Sequence, residues 1–337
     1  MKRFILRTLL YLSPLLVALA YYLLCIDKDA LRGDLAQMTQ DEFRYTRPEI
    51  DPFYPAATCR DIDIEDITTR KDCEMVVFGD SFSDENTRWP NCRWHQFMGS
   101  MFGHDILNVR TWLEPVDCYL KVLVNHPQSL GDTVVIECVE RAMIYRFCYL
   151  DFNDTILPTS SQHAEPTKIE LFKKEVRKPI QYYQRRLGID VPAKVATLDS
   201  PCFTCRPNKL YYFEDDLIEH NEWELATALA NYRRLDSLSS AKGITLFLVA
   251  IPDKYTVYHH HIIGNDDTKK LLEAPCPFDT LPRFINTLPP IATLVASGTK
   301  DVYLPDDTHF SNPTCQVIGQ YVASRISTSS DTIYGQP

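Results

Sequence analysis

The chain has 337 residues and a formal net charge of −10, and its length suits one large domain with insertions. It carries no basic tract strong enough to suggest nucleic-acid binding, so the composition argues against a nucleic-acid partner. An acidic exported enzyme also tends to repel strongly anionic polymers, and neutral substrates are therefore favoured. We expect neither a cofactor nor a metal ion.

The first 26 residues have the pattern of a membrane anchor. Lys2 and Arg3 precede an apolar run from Thr8 to Ile26, close to the roughly 20 residues that cross a bilayer. Because the positive charges come first, the N-terminus is predicted to stay cytoplasmic and the remainder to be exported. Residues 18–20 also fit a signal-peptidase site, so a cleaved signal peptide is the alternative. Apolar residues continue past that site, which favours a retained transmembrane helix.

Composition and the alternation of predicted strands and helices divide the rest of the chain into segments. Residues 27–71 are polar and contain several prolines, which predicts a stalk that becomes the first edge of the domain. From 72 to 328, strands alternate with helices, which predicts βαβ units and one α/β domain with a mainly parallel sheet. An insertion at about 149–208 is interpreted as a solvated basic helix or, alternatively, as a cap or membrane-facing surface. A polar tail, 329–337, ends the chain.

The predicted elements alternate along the domain. Short apolar or β-branched runs predict strands, and apolar residues at helical spacing predict helices. In chain order these are strand Glu74–Phe78, helix Trp94–Phe102, strand Ile106–Val109, helix Tyr119–Asn125, strand Thr133–Glu137, helix Trp223–Ala241, strand Ile244–Ile251 and a helix that begins at Asn312.

The first of these strands ends abruptly in Gly-Asp-Ser. A serine at the carboxyl end of a buried parallel strand lies at the mouth of an α/β sheet, where backbone N–H groups can face a charge that develops on a substrate oxygen. Ser81 is therefore the candidate nucleophile. Asp80 lies beside it in the same turn, and Trp89 is the nearest aromatic residue and a candidate substrate contact.

A second polar turn, more than two hundred residues later, supplies the acid and base that a serine hydroxyl needs. His309 is the candidate base, and the carboxylate that orients it is either Asp306 or Asp307. The turn precedes the last predicted helix, so base and acid are expected at the same edge of the sheet as Ser81. The competing interpretation is an exposed turn that merely caps that helix.

Two other patterns suggest metal ligands at first sight. In the run His259-His260-His261, three adjacent side chains on an extended stretch cannot all reach one ion, so a surface loop is favoured. Cys202 and Cys205 form a lone C-x-x-C, for which a local disulfide or two unpaired thiols is favoured over a metal site.

The motifs together resemble a known superfamily. The sequence Gly79-Asp80-Ser81-Phe82-Ser83 with the late Asp-Asp-Thr-His is similar to the SGNH (GDSL-type) hydrolases. More narrowly, residues 94–97, 134–141, 251–254 and 307–310 resemble the periplasmic SGNH-type O-acetyltransferases of exopolysaccharide modification, the alginate acetylation type. This resemblance implies a flavodoxin-like three-layer α/β/α domain.

The resemblance also implies roles for the site residues. Ser81 would be the acyl acceptor, His309 the base and Asp307 its partner, whereas the general superfamily would put the acid at Asp306. The superfamily's Gly-x-Asn-Asp oxyanion block is not evident, because residues 137–141 occupy its expected place.

Other groups must then bind the substrate oxygen. The oxyanion donors would be the Ser81 amide and an amide near Arg110 or Thr111. Asp80, Trp89 and Arg141 complete the candidate substrate contacts.

The predicted function is that of an exported serine acyl-enzyme that transfers acetyl groups to hydroxyls of a cell-envelope or exopolysaccharide glycan. The anchor predicts an inner-membrane protein with a periplasmic catalytic domain, and the transferase analogy implies a membrane-embedded acetyl-donor partner. Two alternatives stay open: an SGNH-type carbohydrate or lipid esterase, and a catalytically silent glycan-binding or assembly subunit. The acid and base follow the serine in the chain, as in ordinary SGNH esterases and unlike the alginate-type enzymes.

Overall fold

The fold is taken from a computed structural model. It describes residues 59–67, 74–83, 93–103, 105–110, 114–157, 193–265 and 270–334, together with Phe4, Thr8, 11–17 and Leu35. The rest of the predicted anchor and stalk, the basic part of the insertion and the last three residues of the tail lie outside these ranges. Of the predicted anchor, Phe4, Thr8 and 11–17 are helical.

The described residues contain no helix that is both long and apolar enough to span a bilayer.

Strands form two sheets. In chain order the strands of the described residues are β1 (Cys59–Asp63), β2 (Met75–Phe78), β3 (Ile106–Arg110), β4 (Thr133–Val139), β5 (Ala193–Thr197), β6 (Lys209–Phe213), β7 (Thr245–Ile251) and β8 (Phe284–Asn286). Six of them make a sheet in the order β1-β3-β2-β4-β7-β8, and every pairing in it is parallel. β5 and β6 form a separate antiparallel pair. The predicted α/β class and mainly parallel sheet are confirmed.

The central strands of the large sheet are buried, and the order of the strands creates a crevice at their carboxyl ends. β2, β4 and β7 are almost entirely buried, as apolar strands covered on both faces must be. β1 lies in the segment predicted as a stalk and pairs with β3 at the edge of the sheet. The chain leaves β2 toward β3 on one side and then returns to β4 on the other. Such a reversal opens a crevice at the carboxyl ends of β2 and β4.

Helices accompany the strands. Apart from the helical residues near the N-terminus and several short 3₁₀ turns, the helices of the described residues are α1 (Ile64–Ile67), α2 (Trp94–Phe102), α3 (Pro115–Asn125), α4 (Glu140–Cys148), α5 (Glu222–Ser240), α6 (Lys254–Tyr258), α7 (Leu288–Ala296) and α8 (Asn312–Tyr334). α3 begins four residues before its predicted start, with Pro115 in the first turn, where a missing N–H costs no hydrogen bond. Asn221 caps α5, and its side chain accepts a hydrogen bond of 3.0 Å from the Glu224 amide.

The core lies in two layers, one on each face of the large sheet. Buried side chains of α3, α4 and α5 form a cluster with one set of strand residues. Those of α2, α7 and α8 form a second cluster with the alternate set. α2 and α8 approach so closely that a Cβ at Gly319 would lie 2.2 Å from the carbonyl oxygen of Trp94. Helices therefore cover both faces, and the turns at the strand ends remain available for function.

His95 is a polar residue inside the second cluster. It is fully buried, its ring meets Trp94 edge-on, and neither ring nitrogen has a hydrogen-bond partner in the described structure. Burial, aided by the Arg93 guanidinium, lowers the pKa of His95 to about 3. The unfolded chain therefore takes up a proton at this residue below about pH 6.5 while the folded chain does not.

We therefore predict that His95→Leu makes the protein more resistant to acid. Between pH 7 and pH 5 the wild type should lose about 2 kcal/mol of unfolding free energy that the variant keeps. Urea unfolding at the two pH values measures this difference. Equal losses in the two proteins would show that His95 stays protonatable in the folded state.

Candidate active site

Ser81, His309 and Asp307 form a continuous hydrogen-bonded line. Ser81 lies in the turn after β2, and its Oγ is 2.9 Å from His309 Nε2. His309 Nδ1 is 2.6 Å from Asp307 Oδ1. Exposure falls along the line, because Ser81 is exposed, the His309 side chain is 19% exposed and that of Asp307 is 3% exposed. A reachable hydroxyl with a shielded acid behind its base is the arrangement that activates a serine.

The geometry distinguishes the two predicted acids. Asp307 Oδ1 also accepts the backbone N–H of His309 at 3.1 Å, which fixes the carboxylate against the ring. With Nδ1–H directed to Asp307, the lone pair of Nε2 faces the Ser81 hydroxyl. Both ring nitrogens of His309 are thus used by Ser81 and Asp307. Asp306 is buried next to this pair in the chain, and Asp307 is the acid that orients the imidazole.

Aromatic residues support the imidazole. The ring centroid of Phe82 lies 4.8 Å from that of His309 and 4.8 Å from that of Phe310. Phe310 in turn meets Tyr303 at 4.9 Å. Phe82, Phe310 and Tyr303 are all buried, so the base rests on a packed apolar surface with little freedom to rotate.

The nucleophile turn is closed by its own hydrogen bonds. The amide of Ser83 donates to the Asp80 carbonyl at 2.9 Å, and the amide of Phe82 donates to Asp80 Oδ1 at 3.1 Å. A Cβ on residue 79 would lie 2.1 Å from Ser83 Oγ and 2.8 Å from Glu137 Oε2. A side chain at Gly79 would therefore clash, because the buried Ser83 side chain, including its Cβ at 2.4 Å, occupies that space.

Asp80 anchors the turn to β4 and α4. Its Oδ2 accepts hydrogen bonds from Arg146 at 2.7 Å and from the Val139 amide at 3.1 Å. Burial by itself would raise the pKa of Asp80, but the Arg146 guanidinium and the Phe82 and Val139 amides outweigh it and keep the pKa below its ordinary value. Asp80 was predicted as a substrate contact, and the structure places its carboxylate among these internal donors.

Glu137 lies beneath the same turn and is a residue that the sequence analysis did not select. Its Oε2 accepts the Asp80 amide at 3.0 Å and the Ser83 hydroxyl at 2.9 Å. Burial, and then the nearby Asp80 carboxylate, raise the pKa of Glu137 well above its ordinary value and favour its neutral form. Trp94 Nε1 completes the network by donating to Ser83 Oγ at 3.3 Å. In the sequence, this role was indicated by a charged residue inside an otherwise apolar strand.

Asn108, also missed, ties β3 to the turn. Its Nδ2 donates to the Ser83 carbonyl at 3.1 Å and to Asp61 Oδ1 at 3.0 Å. These bonds hold the edge strand, β3 and the nucleophile turn together.

Only some of the predicted oxyanion donors and substrate contacts lie within the described residues. In the described structure the Phe82 and Ser83 amides are used within the turn, whereas the Ser81 amide has no acceptor and is available to a substrate oxygen. Arg110 is the last residue of β3, at the same edge of the sheet. Thr111 and Trp89 lie outside the described residues.

Arg141 belongs to a buried charge cluster at the carboxyl ends of β4 and β7. Its guanidinium pairs with Asp253 and, at 3.3 Å, with Asp216. Glu140 Oε2 accepts the Asp253 amide at 3.1 Å, and burial, followed by the Asp253 charge, raises the pKa of Glu140 to about 7. These four residues line a cavity of about 320 Å³. Arg141 therefore lies in a cleft at the sheet edge that carries Ser81, with its charge already balanced.

Lys254 holds the turn that carries the acid and base. It is 1% exposed, and its Nζ donates to the carbonyls of Leu304 at 2.7 Å, Pro305 at 3.0 Å and Asp307 at 3.1 Å. An ammonium group has three N–H donors, and three carbonyls of one turn take them up. The first residue of α6 thus fixes the backbone on which His309 depends.

Comparison of the chain with protein-family models, with curated proteins and with solved structures finds no match. The family resemblance therefore depends on the sequence motifs alone.

Proposed function

We propose that the chain is a serine acyl-enzyme whose nucleophile is Ser81. The observation that carries this proposal is the line Ser81–His309–Asp307. Ser81 and His309 are 228 positions apart in the chain and are in contact at 2.9 Å, and Asp307 lies 2.6 Å from the other ring nitrogen of His309. A turn that served only to cap α8 would not require its histidine to contact a serine at the end of another strand.

The chemistry follows from the tautomer of His309. Nε2 removes the Ser81 proton while Oγ attacks the ester carbonyl, and Asp307 stabilises the imidazolium that forms. The tetrahedral intermediate collapses, its leaving alkoxide takes the proton from Nε2, and the acyl group stays on Oγ as an ester. His309 then removes a proton from an acceptor hydroxyl, which attacks the acyl-enzyme and releases Ser81 with its proton restored.

We propose acetyl as the acyl group and a hydroxyl of a cell-envelope or exopolysaccharide glycan as the acceptor. The motif resemblance to the SGNH-type O-acetyltransferases supports this choice, as does the acidic charge of the chain. Relative to β2 as the first strand, the order β3-β2-β4-β7-β8 corresponds to the flavodoxin-like order 2-1-3-4-5, with β1 added at the edge. That order supports assignment to a three-layer SGNH-type domain. An N-terminal anchor, a periplasmic site and a membrane-embedded acetyl donor complete the proposal.

A second candidate is an esterase of the same mechanism, in which water replaces the glycan hydroxyl. Ser81 is exposed in the structure, and a solvent-accessible acyl-enzyme favours hydrolysis. The order of the motifs, with acid and base after the serine, favours the same outcome.

The proposal predicts an acetyl adduct on Ser81. After incubation of the full chain with an activated acetyl ester, mass spectrometry should find one added acetyl group in the wild type and none in Ser81→Ala. Ser83→Ala is the matched control, because it alters the same turn and keeps the nucleophile. Adding neutral oligosaccharides to the labelled protein then separates transfer from hydrolysis by the product formed.

Absence of both adduct and turnover in a protein shown to be folded would contradict the acyl-enzyme. Glycan binding without either would instead identify a silent binding subunit.

A further inference from the structure

The histidine run at residues 259–261 is not the surface loop that the sequence predicted. It forms a 3₁₀ turn directly after α6, in which His259 is 1% exposed and lies against the Tyr255 ring at 5.9 Å. The run is not extended, because the packing of α6 places its first histidine in the core. His261 turns away toward Ser200 and Asp199, at 3.2 and 3.3 Å.

The other two histidines converge with an acidic residue from a later segment. His260 Nε2 lies 2.7 Å, and His259 Nε2 lies 3.2 Å, from the same oxygen, Oε1 of Glu273. One nitrogen or oxygen from each of the three residues lies within 4.8 Å of those of the other two. Ligands at 2.0–2.2 Å from a tetrahedral ion are separated by about 3.3 Å, so small side-chain shifts would bring all three to one ion.

In His259 and Glu273, the polar atoms that face away from this meeting point already make hydrogen bonds. His259 Nδ1 lies 2.8 Å from the Thr256 carbonyl, which accepts only, so Nδ1 carries the proton and donates it. Glu273 Oε2 accepts the Lys270 amide at 2.8 Å. A histidine that donates one ring N–H to a carbonyl, and a carboxylate held by its second oxygen, are the orientations found around bound metals.

This orientation has an electrostatic consequence. If Nδ1 carries the only ring proton, His259 directs a lone pair from Nε2 at the carboxylate oxygen of Glu273. Two electron-rich atoms at 3.2 Å repel unless a proton or a cation lies between them. Two imidazoles and one carboxylate suit zinc and similar divalent transition metals, whereas Mg²⁺ and Ca²⁺ prefer oxygen ligands alone.

We propose that His259, His260 and Glu273 bind one divalent transition-metal ion of the zinc type. The site shares no residue with the Ser81–His309–Asp307 line and does not depend on the proposed function. The His260 side chain is 59% exposed, and His260 and Glu273 both line a cleft of about 630 Å³. Water or a small ligand from this cleft completes the coordination. The ion would join the end of α6 to the segment around residue 273.

Zinc binding to the full chain tests the site. After treatment with a chelator, calorimetric titration with ZnCl₂ should give one equivalent for the wild type. His260→Ala and Glu273→Gln should weaken that affinity by at least about 10-fold. His261→Ala is the matched control, because it removes the adjacent histidine that faces Ser200, and its affinity should stay within about threefold of the wild type.

Thermal unfolding gives a second readout that needs no enzymatic activity. Zinc should raise the melting temperature of the wild type and of His261→Ala, and should leave that of Glu273→Gln unchanged. His259 is not used as a test position, because its burial makes misfolding a competing explanation. No binding by the wild type would overturn the proposal. Binding that His261→Ala abolishes and Glu273→Gln does not would overturn it in favour of simple chelation by exposed histidines.

Discussion

Asp307→Asn is expected to lower kcat for ester turnover by about 10⁴-fold, and Asp306→Asn by less than about 10-fold. Asp307 Oδ1 receives both the ring Nδ1–H and the backbone N–H of His309, at 2.6 and 3.1 Å. An asparagine amide in that place favours the tautomer with its proton on Nε2. That proton would face Ser81 and remove the base.

Steady-state hydrolysis of an activated acetyl ester measures both variants, and circular dichroism checks that each is folded. The two substitutions are isosteric and neighbouring, and both side chains are 2–3% exposed, so general destabilisation should affect them alike. A larger loss in Asp306→Asn would assign the acid to Asp306, as the general superfamily pattern has it. Equal small losses would show that the geometry of His309 does not depend on either carboxylate.

The sequence carried enough to predict the parallel sheet and to place Ser81 and His309 at the same edge of it. Each conclusion needs only local information, because apolar runs specify strands and a reactive residue at the carboxyl end of a parallel strand lies at the sheet edge. The choice between Asp306 and Asp307 could not be made in that way. Both follow the same strand-like segment, and the direction of each carboxylate depends on how the turn from residue 304 to 309 is folded.

The missed residues share a physical cause. Glu137 and Asn108 are polar residues in buried strands, and Lys254 begins a helix of five residues. Their importance lies in partners 25 to 57 positions away along the chain, which no local pattern specifies. His259 was misinterpreted for a related reason, because the prediction assumed an extended stretch where tertiary packing imposes a 3₁₀ turn.

Lys254→Met should reduce kcat about 100-fold and change KM much less. Methionine has nearly the length and volume of lysine but leaves the carbonyls of Leu304, Pro305 and Asp307 without the ammonium that lies 2.7 to 3.1 Å away. The turn then relaxes, and a displacement of His309 by about 1 Å is enough for a loss of this size. The unfolding free energy should also fall by about 3 kcal/mol, because buried carbonyls lose their donor.

The control variant Lys121→Met tests whether the loss of kcat in Lys254→Met comes from displacement of His309 or from lower stability of the fold. Lys121 is also a buried lysine, 5% exposed, but its Nζ pairs with Asp117 at 2.7 Å and Asp154 at 3.0 Å on α3 and the segment after α4. Its loss should lower the unfolding free energy and leave kcat per folded molecule within about threefold of the wild type. If the two variants lost equal activity at equal folded fraction, Lys254 would be a structural lysine only. A selective loss of kcat in Lys254→Met would instead show that α6 sets the distance between His309 and Ser81.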